Sequence, residues 1–319
     1  MSSTTRKVAN TIHKTTKRNR SPSLDVIHSQ IETAVTIKSQ SISESPHRAK
    51  KQKLLESYAS ESPFLNFPHP TPSEALAVFD ILSKAHPHHI LSRNFLSPKT
   101  NTNANSAATC GNVPNVIDSL IGTILSQNTS GKNSSGAKAS LDAAFGRNNF
   151  AAIASAPREA VVEAIRHGGL ANKKAATIQK LLQSIEERHG GYSLQHLADI
   201  GKDGKPYSDI EIMKELTSYD GVGPKTASCV LMFCLGRDSF AVDTHIFRLS
   251  KVLGWVPPDA DRILTQAHLD IMLPAELKYG LHVLMIQHGR TCKGCKKVES
   301  SAACVLRDFV KESRVSKLS

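Results

Sequence analysis

Apolar side chains recur along most of the chain at the three- and four-residue spacing of amphipathic helices. The clearest run repeats at i, i+4 and i+8 and consists of Val116, Ile117, Leu120, Ile121, Ile124 and Leu125. No stretch keeps the two-residue alternation of a half-buried strand. We therefore predict an all-α fold, with roughly ten helices after residue 70.

Polar residues and glycines mark where the predicted helices begin and end. Thr71-Pro72-Ser73-Glu74 and Ser208-Asp209-Ile210-Glu211 both have the pattern of a capping box. Glycines follow several apolar runs, as expected for left-handed residues after a helix. Residues 95–115 form a predicted polar loop. Residues 1–62 are rich in Ser, Thr, Lys and Arg and poor in large apolar residues, so we predict that they are disordered.

The charge of the chain is concentrated at its start. The net charge is +12, from 40 Lys and Arg against 28 Asp and Glu, and the first 60 residues hold 11 of the basic and 4 of the acidic residues. Basic clusters at residues 17–20 and 47–53 predict a nuclear protein, with a mitochondrial presequence or a plain solvated tail as alternatives. No run of about 18 apolar residues exists, so we predict no membrane span.

A glycine turn, Gly221-Val222-Gly223, stands directly before Pro224, which suits the first turn of a helix. Glycine lets the backbone turn tightly and approach another chain. Because the helix N-terminus offers free N–H groups and a positive dipole end, a phosphate is its natural ligand. The alternative is a plain turn between two helices without a ligand.

Two residues near this turn could carry chemistry. Lys225 lies just inside the helix, and its amine, once deprotonated, could attack a sugar carbon and form a Schiff base. Asp243 directly precedes a helical pattern that ends at Gly254, which predicts an N-cap whose carboxylate could also stabilise a cationic sugar. The structural alternatives are a solvent-exposed lysine and an aspartate that only caps.

The segments LTSYDGVGPKTA (216–227) and AVDTHIFRLS (241–250) resemble the helix-hairpin-helix DNA glycosylases of the endonuclease III type. The segments LSQNT, GLANKKA and HGR follow the same family in order, so the resemblance covers residues 70 to 291. It implies two helical lobes around a DNA cleft. Residues 113–240 would form a six-helix bundle with the hairpin, and residues 63–112 and 241–319 the second lobe.

The resemblance also assigns roles to residues. It makes Lys225 the Schiff-base nucleophile and Asp243 its catalytic carboxylate. Leu170 becomes a wedge that fills the gap left by a flipped nucleotide, with a core leucine at a helix end as the alternative. Gln127 or Asn128 enters from the other side, and the sequence leaves that choice open. The predicted DNA-binding set is Gly221, Val222, Gly223, Gln127, Asn128, Leu170, Asn172, Lys173, His245 and Arg248.

The cysteines depart from the family pattern. Many members hold an iron–sulfur cluster after the HGR segment on four cysteines spaced C-x6-C-x2-C-x5-C. This chain has only Cys292, Cys295 and Cys304 there, spaced C-x2-C-x8-C. We therefore expect no 4Fe–4S cluster and no cofactor, with zinc on the three thiolates and His288 as the alternative. Asp220 also departs from the family, and it would bring a negative charge beside the phosphate site.

The resemblance, with Lys225 and Asp243 both present, implies a bifunctional DNA glycosylase and abasic-site lyase in base excision repair, with oxidised pyrimidines as the default substrates. Its partner would be double-stranded DNA with a damaged base or an abasic site, and the chain would act as a monomer. The run LGWVPP (253–258) is also similar to plant glycosylases that remove methylcytosine. Methylcytosine- or mismatch-directed activity is therefore one alternative, and a catalytically inactive DNA-binding protein is another.

Overall fold

Helices form the regular secondary structure of the described chain. The computed structural model describes residues 61–89, 113–199, 204–296 and 302–315. Within those segments the all-α prediction is confirmed, with twelve α-helices, slightly more than predicted. They are α1 (Pro72–Ala85), α2 (Val116–Ser126), α3 (Gly131–Phe145), α4 (Phe150–Ser155), α5 (Arg158–Ala164), α6 (Ala171–His189), α7 (Asp209–Thr217), α8 (Pro224–Phe233), α9 (Thr244–Leu253), α10 (Arg262–Met272), α11 (Ala275–Thr291) and α12 (Val305–Val315).

Several predictions for the start of the chain lie outside the described residues. These are the tail up to residue 60, both basic clusters, and residues 95–112 of the polar loop with Cys110. At the end of the predicted disordered tail, Ser62 Oγ lies 2.6 Å from His268 Nδ1, so this serine is packed rather than disordered. None of the helices in the described segments is long and apolar enough for a membrane span.

Local hydrogen bonds explain where several helices begin and end. Thr71 Oγ1 accepts from the Glu74 N–H at 3.2 Å, and the Glu74 carboxylate accepts from the Thr71 N–H at 2.9 Å, which completes the predicted capping box of α1. Ser208 and Glu211 form the second predicted box in the same way. Gly254 ends α9 in the left-handed conformation, also as predicted.

Buried apolar side chains form two main clusters. Helices α2 to α8 build the first around α2, which is apolar and buried on nearly all sides. Helices α1 and α9 to α12 build the second. A small third cluster connects α8 and α11 through Cys229, Met232, Ala241 and Tyr279. All the described residues fall within one compact unit, His47–Ser319, and the lobe boundaries drawn from the sequence stay a prediction.

Candidate active site

The glycine turn packs against α6 and starts α8. Val222 is fully buried, and its N–H donates to the Tyr219 carbonyl at 3.2 Å. Gly221 has a φ of +82°, and a Cβ there would overlap the Cγ2 methyl of Thr177 on α6. Both the left-handed backbone and the close approach therefore require glycine at this position. Gly223 is the N-cap of α8, whose first residue is proline, as predicted.

Asp220, the residue expected to disfavour a phosphate here, has a cationic neighbour. Its carboxylate lies 2.5 Å from Lys180 Nζ on α6. Both side chains are more than half exposed, so the pair contributes little stability. It does offset the negative charge beside the turn, and the first N–H groups of α8 remain suited to an anion.

The extended segment 240–242, which leads to Asp243, is held by side chains from α10 and α11. The Phe240 N–H donates to Asp270 Oδ1 at 2.6 Å, and the Val242 N–H donates to Gln266 Oε1 at 3.1 Å. The Ala241 carbonyl accepts from His282 Nδ1 at 2.8 Å. Because these backbone groups have defined partners, the segment presents Asp243 from a fixed position.

Asp243 is the N-cap of α9, which confirms the prediction for its structural role. Its Oδ1 accepts from the N–H groups of His245 and Ile246 at 2.9 and 2.8 Å. The side chain as a whole is half-buried. Two hydrogen bonds thus orient the carboxylate and fix where its charge acts.

Lys225 and Asp243 both act electrostatically on the imidazole of His282 on α11, which is 2% exposed. Burial lowers the pKa of His282 to about 4, while Asp243 acts to raise it and Lys225 and Arg290 act to lower it. Packing agrees, because Cys229, one turn after Lys225 on α8, belongs to the same cluster as the segment before Asp243. An amine, a carboxylate and a neutral imidazole therefore lie in the same region of the protein.

Acid should destabilise the fold through His282. The pKa of His282 is 6.5 in the unfolded chain and about 4 in the folded protein. The stability that comes from keeping this ring neutral is therefore complete above pH 6.5 and is lost as the pH falls toward 4. The difference corresponds to roughly 3 kcal/mol of unfolding free energy. We expect His282→Gln to flatten this part of the pH dependence in urea unfolding. His167→Gln, at an exposed histidine, is the control. If His282→Gln left the dependence of unfolding free energy on pH unchanged, His282 would not be a buried neutral ring.

Two loops carry the residues predicted to fill the gap in the DNA. Leu170 is 54% exposed and has a left-handed backbone with a φ of 52°. That conformation costs a leucine roughly 1–2 kcal/mol, and the exposure shows that the core alternative for Leu170 is wrong. Gln127 Nε2 lies 3.4 Å from the hydroxyl of Thr226, the residue after Lys225, whereas Asn128 is exposed. Gln127 thus contacts the first turn of α8, and Asn128 is the more accessible of the two.

The buried side chain of Lys174 hydrogen-bonds to both of these loops. Lys174 Nζ donates to the carbonyls of Leu125 and Gly168 at 2.7 and 2.8 Å and to Thr129 Oγ1 at 2.6 Å. Three acceptors thus match the three ammonium hydrogens. Burial lowers the pKa of Lys174, whose side chain is 3% exposed. Lys174 therefore belongs to the scaffold that positions both loops.

The other predicted DNA contacts differ in accessibility. Asn172 and Lys173 are exposed in the first turn of α6, where they can meet a phosphate. Arg248 Nη2 donates to the Gly289 carbonyl at 2.8 Å. His245 also packs on Gly289, where a Cβ would lie 2.7 Å from the His245 Cβ. His245 and Arg248 thus also dock α9 on α11.

If Leu170 is the wedge that the resemblance implies, Leu170→Ala should slow base release from duplex DNA by about 10-fold or more, because extrusion costs a few kcal/mol that an inserted side chain helps to offset. Single-turnover assays on duplex and single-stranded substrates would measure this, with a smaller loss expected on the single strand. Leu76→Ala truncates another exposed leucine, on α1, and serves as the control. Equal losses on both substrates would argue against a wedge.

The C-terminal cysteines meet His288 near the end of α11. The ligand atoms of His288, Cys292, Cys295 and Cys304 all lie within 4.8 Å of one another. The 4Fe–4S cluster that the family pattern implies has four cysteine ligands spread around an eight-atom body. This group supplies three thiolates crowded around one point. The four side chains differ from that four-cysteine set, and they could hold a single metal ion.

Comparison with known proteins agrees with this fold. Residues 121–274 match the HhH-GPD superfamily of base excision DNA repair proteins. An endonuclease III from Sulfolobus acidocaldarius is 31% identical over 207 residues, which cover 65% of this chain and 86% of that protein. A candidate DNA glycosylase of Arabidopsis thaliana is 43% identical over 182 residues, but these cover 57% of this chain and only 59% of the relative.

The solved structure of an endonuclease III in a non-covalent complex with DNA has the same fold. It matches with a TM-score of 0.56 and 24% identity, over 78% of this chain and 99% of that chain. The helical fold and the superfamily match over residues 121–274 both indicate the helix-hairpin-helix class. Within that class, the chain belongs to the endonuclease III family of DNA glycosylases.

Sequence patterns did not identify several residues that position the site. Gln266, Asp270 and His282 bind the backbone of segment 240–242, and Lys174 binds loop carbonyls. Gln266, Asp270 and His282 lie 24 or more residues from the backbone groups that they bind. No local sequence pattern therefore indicates these contacts. The one available signal is a polar residue inside an apolar run, as with His282 in α11.

Proposed function

We propose that the chain removes damaged bases from duplex DNA and then cuts the strand at the resulting abasic site. The observation that carries this proposal is that Lys225 and Asp243 both act electrostatically on one buried imidazole, with Lys225 in the first turn of the helix that follows the glycine turn. DNA binding alone requires neither residue. Membership of the endonuclease III family supports DNA as the substrate class.

Each group in the site has a step in this reaction. The N-terminus of α8 binds a DNA phosphate and brings the sugar to Lys225. The neutral amine attacks C1′, and the bond to the base breaks, so that the base leaves with the electron pair and takes up a proton. Asp243 stabilises the positive charge that develops on the sugar. The ring opens to a Schiff base, and loss of a C2′ proton expels the 3′ oxygen, which cuts the strand.

Oxidised pyrimidines are the proposed substrates. The amide of Gln127 beside Thr226 offers both a donor and an acceptor to a base edge. Pocket shape and such edge contacts decide which base is accepted. Methylcytosine and mismatched bases are the alternatives that the same site would have to be tested against.

A panel of labelled duplexes tests the proposal, each carrying one oxidised pyrimidine, methylcytosine, mismatch or abasic site. Base release and strand cleavage are scored separately, and borohydride traps a Schiff base on abasic DNA. We expect release and cleavage on oxidised pyrimidines and a covalent adduct on the abasic duplex. Release without an adduct would leave a monofunctional glycosylase. Binding without release or adduct would identify a non-catalytic DNA-binding protein.

A further inference from the structure

The group formed by His288, Cys292, Cys295 and Cys304 has the dimensions of a site for one metal ion. Cys295 Sγ lies 3.0 Å from Cys304 Sγ and 3.2 Å from His288 Nε2, and Cys304 Sγ lies 3.6 Å from the same nitrogen. All four ligand atoms lie within 4.8 Å of one another. A tetrahedral zinc ion with Zn–S bonds of about 2.3 Å separates its ligand atoms by ~3.8 Å. The three measured distances of 3.0 to 3.6 Å are slightly shorter than that value, as expected for ligand atoms already gathered around one point.

We propose that these four residues bind one zinc ion in a closed structural site, where many family members carry an iron–sulfur cluster. Three thiolates and one imidazole are a recurrent ligand set for structural zinc. Four protein ligands leave no position for water or substrate, so the ion holds the fold and does not react. His288, Cys295 and Cys304 are buried and Cys292 is half-buried, which limits competition from solvent.

Two further residues prepare the site. His86 Nε2 lies 2.9 Å from His288 Nδ1, which directs the other nitrogen of His288 to the cysteines. A partner of this kind fixes the tautomer and orientation of a metal-binding histidine. At Gly294, a Cβ would lie 2.5 Å from the Ala302 carbonyl oxygen. Glycine there lets the turn that carries two of the cysteines approach Cys304.

One ion at this point would join separate parts of the second hydrophobic cluster. His288 lies in the last turn of α11, and Cys304 directly precedes α12. His86 follows α1 as its C-terminal cap and reaches the site through His288. Leu306 of α12 is buried in the same cluster as residues of α1 and α9. Binding therefore stabilises the packing of α12, and it releases protons from the thiols as the metal enters.

Metal analysis of the full chain tests the proposal. Protein produced with both iron and zinc supplied, and purified anaerobically without chelators, should contain one zinc per chain and show no visible absorption of an iron–sulfur cluster. Exchange for cobalt(II) should give the visible bands of a tetrahedral site with thiolate ligands. Both measurements use the unaltered chain, so they do not depend on whether a variant folds.

Variants assign the ion to these residues. Cys292→Ser should lose stoichiometric zinc, and His86→Ala should weaken zinc affinity by about 10–100-fold. Cys234→Ala, which removes a buried cysteine outside the group, should keep one zinc. A stoichiometric iron–sulfur cluster, a metal-free chain, or a disulfide between Cys295 and Cys304 would overturn the proposal. Zinc content is measured without any assay of base release. A failure of the zinc proposal can therefore be distinguished from a failure of the proposed function.

Discussion

Lys225→Gln should abolish the covalent adduct that borohydride forms on abasic DNA and should lower strand cleavage by at least about 10³-fold. Glutamine keeps a polar side chain in the first turn of α8, but its amide nitrogen cannot act as the nucleophile. Lys225 is half-buried at a helix start, so the fold should persist without its charge. Single-turnover cleavage and gel analysis of trapped adducts measure the two effects.

The same change at Lys84, in the last turn of α1, is the control and should leave adduct and cleavage at the wild-type level. DNA affinity, measured by fluorescence anisotropy, separates a loss of chemistry from a loss of binding. An adduct that survives Lys225→Gln at full strength would mean that another amine reacts. The lyase role proposed for Lys225 would then be wrong.

Asp243→Asn should slow base release by about 10²–10⁴-fold and leave DNA affinity close to wild type. Asparagine caps a helix about as well as aspartate, so the hydrogen bonds to His245 and Ile246 can persist. The substitution therefore removes the charge and keeps the cap. The melting temperature should move little, whereas Asp243→Ala should cost about 1 kcal/mol of unfolding free energy.

A matched control exists at the start of α10. Asp261 is also an N-cap aspartate, and its Oδ1 accepts from the Leu264 N–H at 2.8 Å. Asp261→Asn makes the same chemical change at the same kind of position, and it should leave base release unchanged. If Asp243→Asn and Asp261→Asn were equally active, the carboxylate of Asp243 would be a cap and nothing more.

Features with partners nearby in sequence could be predicted. Asp243 was predicted as an N-cap because a cap bonds to N–H groups within three residues of it. The capping box from Thr71 to Glu74 follows the same rule. Gly221 was predicted in a turn because few other residues tolerate its backbone. Local chemistry thus located the start of the lysine-bearing helix and the aspartate that caps α9.

Features that depend on tertiary contact could not be predicted in the same way. His282 is 41 residues from the carbonyl that it binds, and nothing local indicates that its ring is buried. For Leu170 the sequence allowed either a wedge or a core side chain, because only its exposure distinguishes the two. That exposure depends on how α6 packs, which no local pattern indicates. For Cys304, spacing alone did not reveal that its sulfur lies 3.0 Å from Cys295 Sγ.

The buried ammonium group of Lys174 constrains how these loops can change in length. It has three acceptors, drawn from the end of α2, from Thr129 and from the turn before Leu170. An insertion or deletion in either loop would move at least one acceptor away and leave a buried charge partly unpaired, which costs several kcal/mol. Electrostatics inside the protein therefore set the length of both loops, and new base preferences have to arise by exchanging side chains on loops of constant size.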